Sequence, residues 1–219
     1  MSARTVVKLG GSTAGGATLD RWLAAIAQAS APTVVVPGGG PFADQVRATQ
    51  HALGFSDRAA HAMAILAMEQ FAEIILDRGG RFVAAATPAQ LETALAAGRI
   101  AVWLPSAMAL AAPAIPVSWD VTADSLGAWL AGRVGAEDLL LIKQSTAIAV
   151  GADVAALARR GSMAGRQAST RPRRTRLRLA GPQHLGEAAR IFAAGGLPGV
   201  AVAAAEPGRR PAEAAAVRG

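Results

Sequence analysis

Apolar positions along the chain follow two rhythms. Short unbroken runs mark buried strands: Val6-Val7, Thr33-Val34-Val35-Val36, Arg81-Phe82-Val83, Ile100-Ala101-Val102-Trp103-Leu104 and Leu139-Leu140-Leu141-Ile142. Arg176-Leu177-Arg178-Leu179 and Val200-Ala201-Val202 read as a late and a closing strand. Between the runs the period lengthens toward that of a helix. Leu19, Leu23, Ile26 and Ala27 form one stripe of a helix over about 18–29, stopped by Pro32. Further helices are expected over about 42–52, 57–77, 88–98, 123–134, 153–160 and 182–194. Ser56 or Asp57 caps the longest, Thr87-Pro88-Ala89-Gln90 has capping-box spacing, and Thr122 caps the helix that carries Asp124 in its first turn.

Strand, helix and strand within about 36 residues make a βαβ unit with parallel neighbours, so the fold class is α/β with Val6-Val7 in a central strand. The stretch from Ile100 to Trp119 is broken by Pro105, Pro113 and Pro116, so it reads as strand plus loop rather than a membrane span. The middle of the long helix, Ala62 to Met68, is apolar all round, which suits a core or an oligomer interface.

Composition narrows the class. Hydrophobic residues make up 52% of the 219 and charged residues 17%, enough to bury a full core. There is no cysteine, hence no disulfide framework, thiolate metal site or cysteine nucleophile, and a cytoplasmic location is expected. Met1 to Arg4 runs straight into the first strand, with no secretory leader expected.

The net charge of +7 is unevenly spread: residues 158–219 hold 12 Lys+Arg against 3 Asp+Glu. The arginine-rich stretch lacks interleaved aromatics, so a wall facing a nucleotide or a solvated loop is favoured over nucleic-acid binding.

Two glycine-rich turns carry the candidate chemistry. Val6-Val7-Lys8-Leu9-Gly10-Gly11-Ser12 ends the first strand, and Pro37-Gly38-Gly39-Gly40-Pro41 ends the second. Parallel neighbours end on one sheet edge, so the turns should face each other where open α/β sheets bind ligands. Bare glycine backbone can press its amides on an anion. Of 22 Lys+Arg only Lys8 and Lys143 are lysines, and both follow strand-like runs. A flexible ammonium retained against an arginine bias suggests a site. Other roles stay open. Asp124 suits its helix dipole as well as a lysine or a metal. His61, four residues after Asp57, is either a packed side chain or a substrate contact. Asp120 reads as a surface turn residue.

Lys-x-Gly-Gly-Ser, Val-Pro-Gly-Gly-Gly-Pro-Phe-Ala-Asp and Thr-Ala-Asp-Ser resemble the amino acid kinase superfamily over roughly residues 4–143. The stretch Ser56-Asp57 to Glu69-Gln70 is similar to its branch of [5-(aminomethyl)furan-3-yl]methyl phosphate kinases of methanofuran biosynthesis.

The resemblance implies a three-layer αβα sandwich with a mostly parallel sheet. It implies ATP as donor, Mg²⁺, and transfer of the γ-phosphoryl to a carboxylate or phosphate, and the branch implies a small phosphate monoester raised to a diphosphate. No membrane partner is expected, and a homo-oligomer is. Residues 1–205 would form one domain, with an acceptor half to about 135, a nucleotide half beyond it, and a tail over 206–219. Two anions at ~4 Å repel by ~4 kcal/mol per charge pair at an effective dielectric of ~20, so positioning and neutralisation are the task.

Lys8 and the amides of Gly10 and Gly11 are assigned to the transferred phosphoryl, with Ser12 and Lys143 on the phosphate and nucleotide side. Gly38, Gly39 and Gly40 would hold the acceptor, with Asp44, Asp57 and His61 nearby. Asp124 would hold Lys8, as the family implies. The family's Thr-Asp-Val-x-Gly run is replaced here by Lys143-Gln144-Ser145-Thr146-Ala147, and its later catalytic lysine is missing, so Lys143 or Arg166 is the candidate substitute. A non-catalytic anion or nucleotide binder and a nucleoside monophosphate kinase are the alternatives.

Overall fold

The computed structural model describes residues 3–14, 16–144 and 175–202. The expected helix 153–160, the loop after it and the tail lie outside them. Seven strands, β1 (Thr5–Leu9), β2 (Thr33–Pro37), β3 (Phe82–Ala85), β4 (Ile100–Trp103), β5 (Asp138–Ile142), β6 (Arg176–Ala180) and β7 (Val200–Ala201), form one sheet in the order β3-β4-β2-β1-β5-β6-β7. All pair in parallel except β7, which lies antiparallel on β6. The uninterrupted apolar run of β1 fits its central place, where all five residues are buried.

Helices α1 (Ala17–Ile26), α2 (Gly40–Leu53), α3 (Asp57–Asp77), α4 (Pro88–Ala96), α5 (Ser106–Ala109), α6 (Ala123–Arg133) and α7 (Leu185–Ala193) cover both faces. Strand alternation divides the core in two. Val7, Leu9, Leu140 and Ile142 meet Trp22, Ile26 and Phe192 of α1 and α7. Val6, Leu139 and Leu141 belong to the other layer, with Leu91 of α4 and with Leu126 and Trp129 of α6. The result is an αβα sandwich, as expected.

The caps form where the sequence places them. Ser56 Oγ accepts from the Ala59 amide, Thr122 Oγ1 from Ser125, and Thr87 with Gln90 closes a full capping box. Four boundaries differ from expectation. Helix α1 stops at Ile26, because tight turns ending at Gln28 and Ala29 already redirect the chain toward β2. Helix α2 starts at Gly40, whose φ of 54° lets the glycine run turn directly into the helix. Within the proline-rich stretch a single turn, α5, forms because Glu69 Oε1 accepts from its Ser106 amide at 2.8 Å. The helix expected from Pro182 opens as a 3-10 turn, Pro182–His184, before α7.

Helix α3 is long and apolar enough to cross a membrane by length and composition alone. Eight of its residues are buried, among them Ile65, Met68, Phe71 and Ile75, which makes it a core helix. Its apolar middle is not buried all round: Met63 and Leu66 are exposed at 38% and 46%.

Candidate active site

Strand parity brings two lysines to one carboxylate. Lys8 pairs with Leu141 across the β1–β5 ladder, so Lys143, two residues further along, shares the face that Lys8 uses. Helix α6 crosses that face with Asp124 in its first turn. Lys8 Nζ lies 2.7 Å from Asp124 Oδ1, and Lys143 Nζ donates to Asp124 Oδ2. Gly127 stands three residues beyond Asp124 on the same side of α6. A Cβ there would lie 3.4 Å from Lys8 Cβ, an ordinary contact distance, so α6 packs directly over the lysine stem at this point.

The two ammonium groups differ in exposure. The Lys8 side chain is 8% exposed and that of Lys143 31%. Burial pushes the Lys8 pKa below the usual lysine range, against the opposing pull of Asp124. Burial alone would push Asp124 up, but Lys8 and Lys143 outweigh it and hold the carboxyl below its ordinary range. Two ammoniums on one carboxylate leave a net positive charge beside the glycine turns.

Those turns touch. A Cβ on Gly11 would lie 2.2 Å from the Gly40 nitrogen, and one on Gly38 would lie 2.2 Å from the Gly11 nitrogen. Only glycines permit this approach. Among the described residues no backbone carbonyl accepts from the amides of Gly11, Gly38, Gly39 or Gly40, and α2 has no side-chain cap on its first amides. These are donors at a helix N-terminus, where an anion is favoured.

Gly10 is a correction. Its amide donates to the Ile142 carbonyl at 3.1 Å, extending the β1–β5 ladder, and its carbonyl accepts from Thr13 at 2.5 Å from the hydroxyl. It shapes the turn and has no amide left for a phosphoryl. The Ser12 side chain lies outside what is described.

The acceptor-side candidates are dispersed. Asp44 is exposed on α2. Asp57 is exposed and accepts from Gln50 Nε2 at 2.8 Å. His61 is 8% exposed, its ring is bonded to the Ser118 backbone, and burial pushes its pKa below the usual histidine range. Asp57 and His61 therefore face different partners despite their helical spacing. Asp120 is exposed and accepts from the Ser118 hydroxyl, as a turn residue would.

Sequence reading missed the group that fastens this loop to α2. Trp119 Nε1 donates to Gln50 Oε1 at 2.6 Å, and the Arg47 guanidinium stacks 4.6 Å above the Trp119 ring. It missed Gly127 as well, although the spacing from Asp124 was a readable signal.

The amino acid kinase family model matches residues 3–149. Over 108 residues the chain is 31% identical to [5-(aminomethyl)furan-3-yl]methyl phosphate kinase from Methanocaldococcus jannaschii. That alignment covers 49% of this chain and 50% of the relative, so it spans half of the relative's length. Uridylate kinase from Archaeoglobus fulgidus superposes with a TM-score of 0.58 at 15% identity, covering 93% of this chain and 100% of that one. N-acetylglutamate synthase from Neisseria gonorrhoeae, complexed with coenzyme A and L-arginine, superposes with a TM-score of 0.52 at 18% identity, covering 89% and 60%. Both structures share the fold, and a fold by itself does not select an activity. With its central strand, glycine turns and α6 carboxylate all inside the matched residues, the chain belongs to the amino acid kinase family.

Proposed function

We propose that the protein is a small-molecule kinase that moves the γ-phosphoryl of ATP onto a phosphate monoester and releases ADP and a diphosphate. One observation carries the reading: Asp124 gathers Lys8 and Lys143 beside unspent amides of two touching glycine turns. A phosphate acceptor is already an anion, so no general base is needed. The acceptor oxygen forms a bond to the γ-phosphorus as the bond to the β–γ bridging oxygen breaks, and the electron pair leaves with ADP. In this reading Lys8 and the Gly11 amide neutralise the transferred group. The amides of Gly38, Gly39 and Gly40 hold the acceptor, and Lys143 meets the nucleotide phosphates. Asp124 positions Lys8 and pairs with Lys143.

The described residues offer Mg²⁺ no protein cage. No group of three or more His, Asp or Glu side chains is placed for a metal among them, and both Asp124 oxygens already face ammonium groups. Asp124 accordingly serves the lysines rather than a metal ion.

The name of the Methanocaldococcus relative supports an aminomethylfuran-methyl phosphate as the acceptor. Exposed Met63 and Leu66 on α3 support a homo-oligomer, and the lack of cysteine supports a cytoplasmic location. Incubation with Mg-ATP and a panel of phosphate monoesters tests the activity. ADP release that depends on one acceptor is expected, and its absence across the panel would exclude the reading.

A further inference from the structure

Asp124 has two carboxylate oxygens and two cationic partners, and those partners are held unequally. Lys8 is enclosed: its stem runs under Gly127 and its side chain is 8% exposed. Lys143 leaves the end of β5 with its side chain 31% exposed, so a four-carbon stem can carry its ammonium elsewhere without opening the core. Asp124 has little freedom of its own, being 9% exposed in the first turn of a helix capped by Thr122. Of the three groups, Lys143 is the one able to change partner.

We propose that Asp124 is an internal stand-in for a nucleotide phosphate: it holds Lys143 in reserve, and an arriving polyphosphate takes the ammonium away while Lys8 stays. The proposal rests on the kinase reading, because it supposes that the arriving anion is a nucleoside polyphosphate. Its consequence is competition. The carboxylate that positions Lys8 also draws Lys143 away from the nucleotide, so removing its charge should tighten nucleotide binding even as it disables turnover. An aspartate that does not compete for Lys143 predicts a gain that is the same with and without that lysine.

The test uses the full chain and Mg-ADP, with affinities measured by calorimetry. Lys143→Met should weaken ADP binding about tenfold. Asp124→Asn should tighten it about fivefold, the scale of one unit charge at ~4 Å in a water-like dielectric. In the double variant that gain should disappear. An equal gain with and without Lys143, or unchanged affinity in Lys143→Met, would overturn the proposal.

Should Asp124→Asn fail to fold, a second measurement is available, because Lys8 and Lys143 are the only lysines in the chain. Labelling lysine with ¹⁵N at Nζ gives two ammonium resonances, and Lys143→Met assigns them. The Lys143 resonance should move when ADP is added, and a stationary one would overturn the proposal. If ADP binds while that resonance stays still, this inference alone fails. If ADP does not bind the wild-type chain, the kinase reading fails and takes this inference with it.

Discussion

Gly38 and Gly11 stand so close that a single methyl group on Gly38 would sit 2.2 Å from the Gly11 nitrogen and 2.8 Å from its α-carbon. Both obstacles are backbone, with no flexible side chain to yield. Gly38→Ala should therefore push the two turns apart. The expected stability loss is ~1–3 kcal/mol, as for other overpacked sites. Turnover should fall by about two orders of magnitude or more, since the amides no longer converge. A thermal melt and a steady-state assay on the same preparation check both.

Gly127 should behave in the opposite way. A Cβ there meets Lys8 Cβ at 3.4 Å and Lys8 Cγ at 3.7 Å, ordinary contact distances. Within a helix, alanine is favoured over glycine by roughly 0.5–1 kcal/mol. Gly127→Ala should raise the melting temperature. Gly127→Val adds atoms directed at the Lys8 stem and should lower turnover. Calorimetric melts of both variants, with assays of the second, separate these outcomes.

Lys8→Ala and Asp124→Asn should each abolish turnover, yet differ in stability. Without Lys8, Asp124 keeps Lys143 as its partner. Without the carboxylate, the enclosed Lys8 ammonium is left unpaired, a change that typically costs ~3–5 kcal/mol. Urea titrations should rank Lys8→Ala as the more stable variant. The reverse order would mean that Asp124 does not carry the Lys8 charge.

Stability and activity should respond to alkali with opposite signs. Burial holds the Lys8 pKa below its ordinary 10.5. Between the folded value and 10.5 the unfolded chain binds more protons, so unfolding free energy rises with pH through that window. Turnover should fall across it, because a neutral amine no longer attracts the phosphoryl group. At the acid end Asp124, held below the usual carboxylate range, contributes stability above about pH 3.9 that is lost as pH falls through its folded pKa. A pH–rate profile beside urea melts at matched pH would reveal the divergence.

Helix α3 presents Met63 and Leu66 to solvent one turn apart. If this stripe joins copies of the chain, Met63→Glu with Leu66→Glu should give monomers in sedimentation velocity while leaving the melting curve of the isolated chain nearly intact. An unchanged sedimentation profile would place any oligomer contact elsewhere.

Local signals were enough for the strands, the caps at Ser56, Thr87 and Thr122, and the meeting of the two glycine turns. Each depends on a few neighbouring residues or on the rule that parallel strands finish on one edge. The pairing of Lys8 with Asp124 entered through family resemblance, and its geometry rests on α6 crossing β1 closely at Gly127. Three further matters were decided only when the chain closed on itself. The Gly10 amide was claimed by Ile142, because the β1–β5 ladder runs one residue past the strand. Asp57 and His61, matched in spacing, were parted by Gln50 and the Ser118 backbone. Lys143 reached the carboxylate already paired with Lys8, through a strand register that spacing along the chain does not reveal. Periodicity and capping are properties of a segment, whereas an amide's acceptor or an ammonium's counter-ion depends on which distant segment packs beside it.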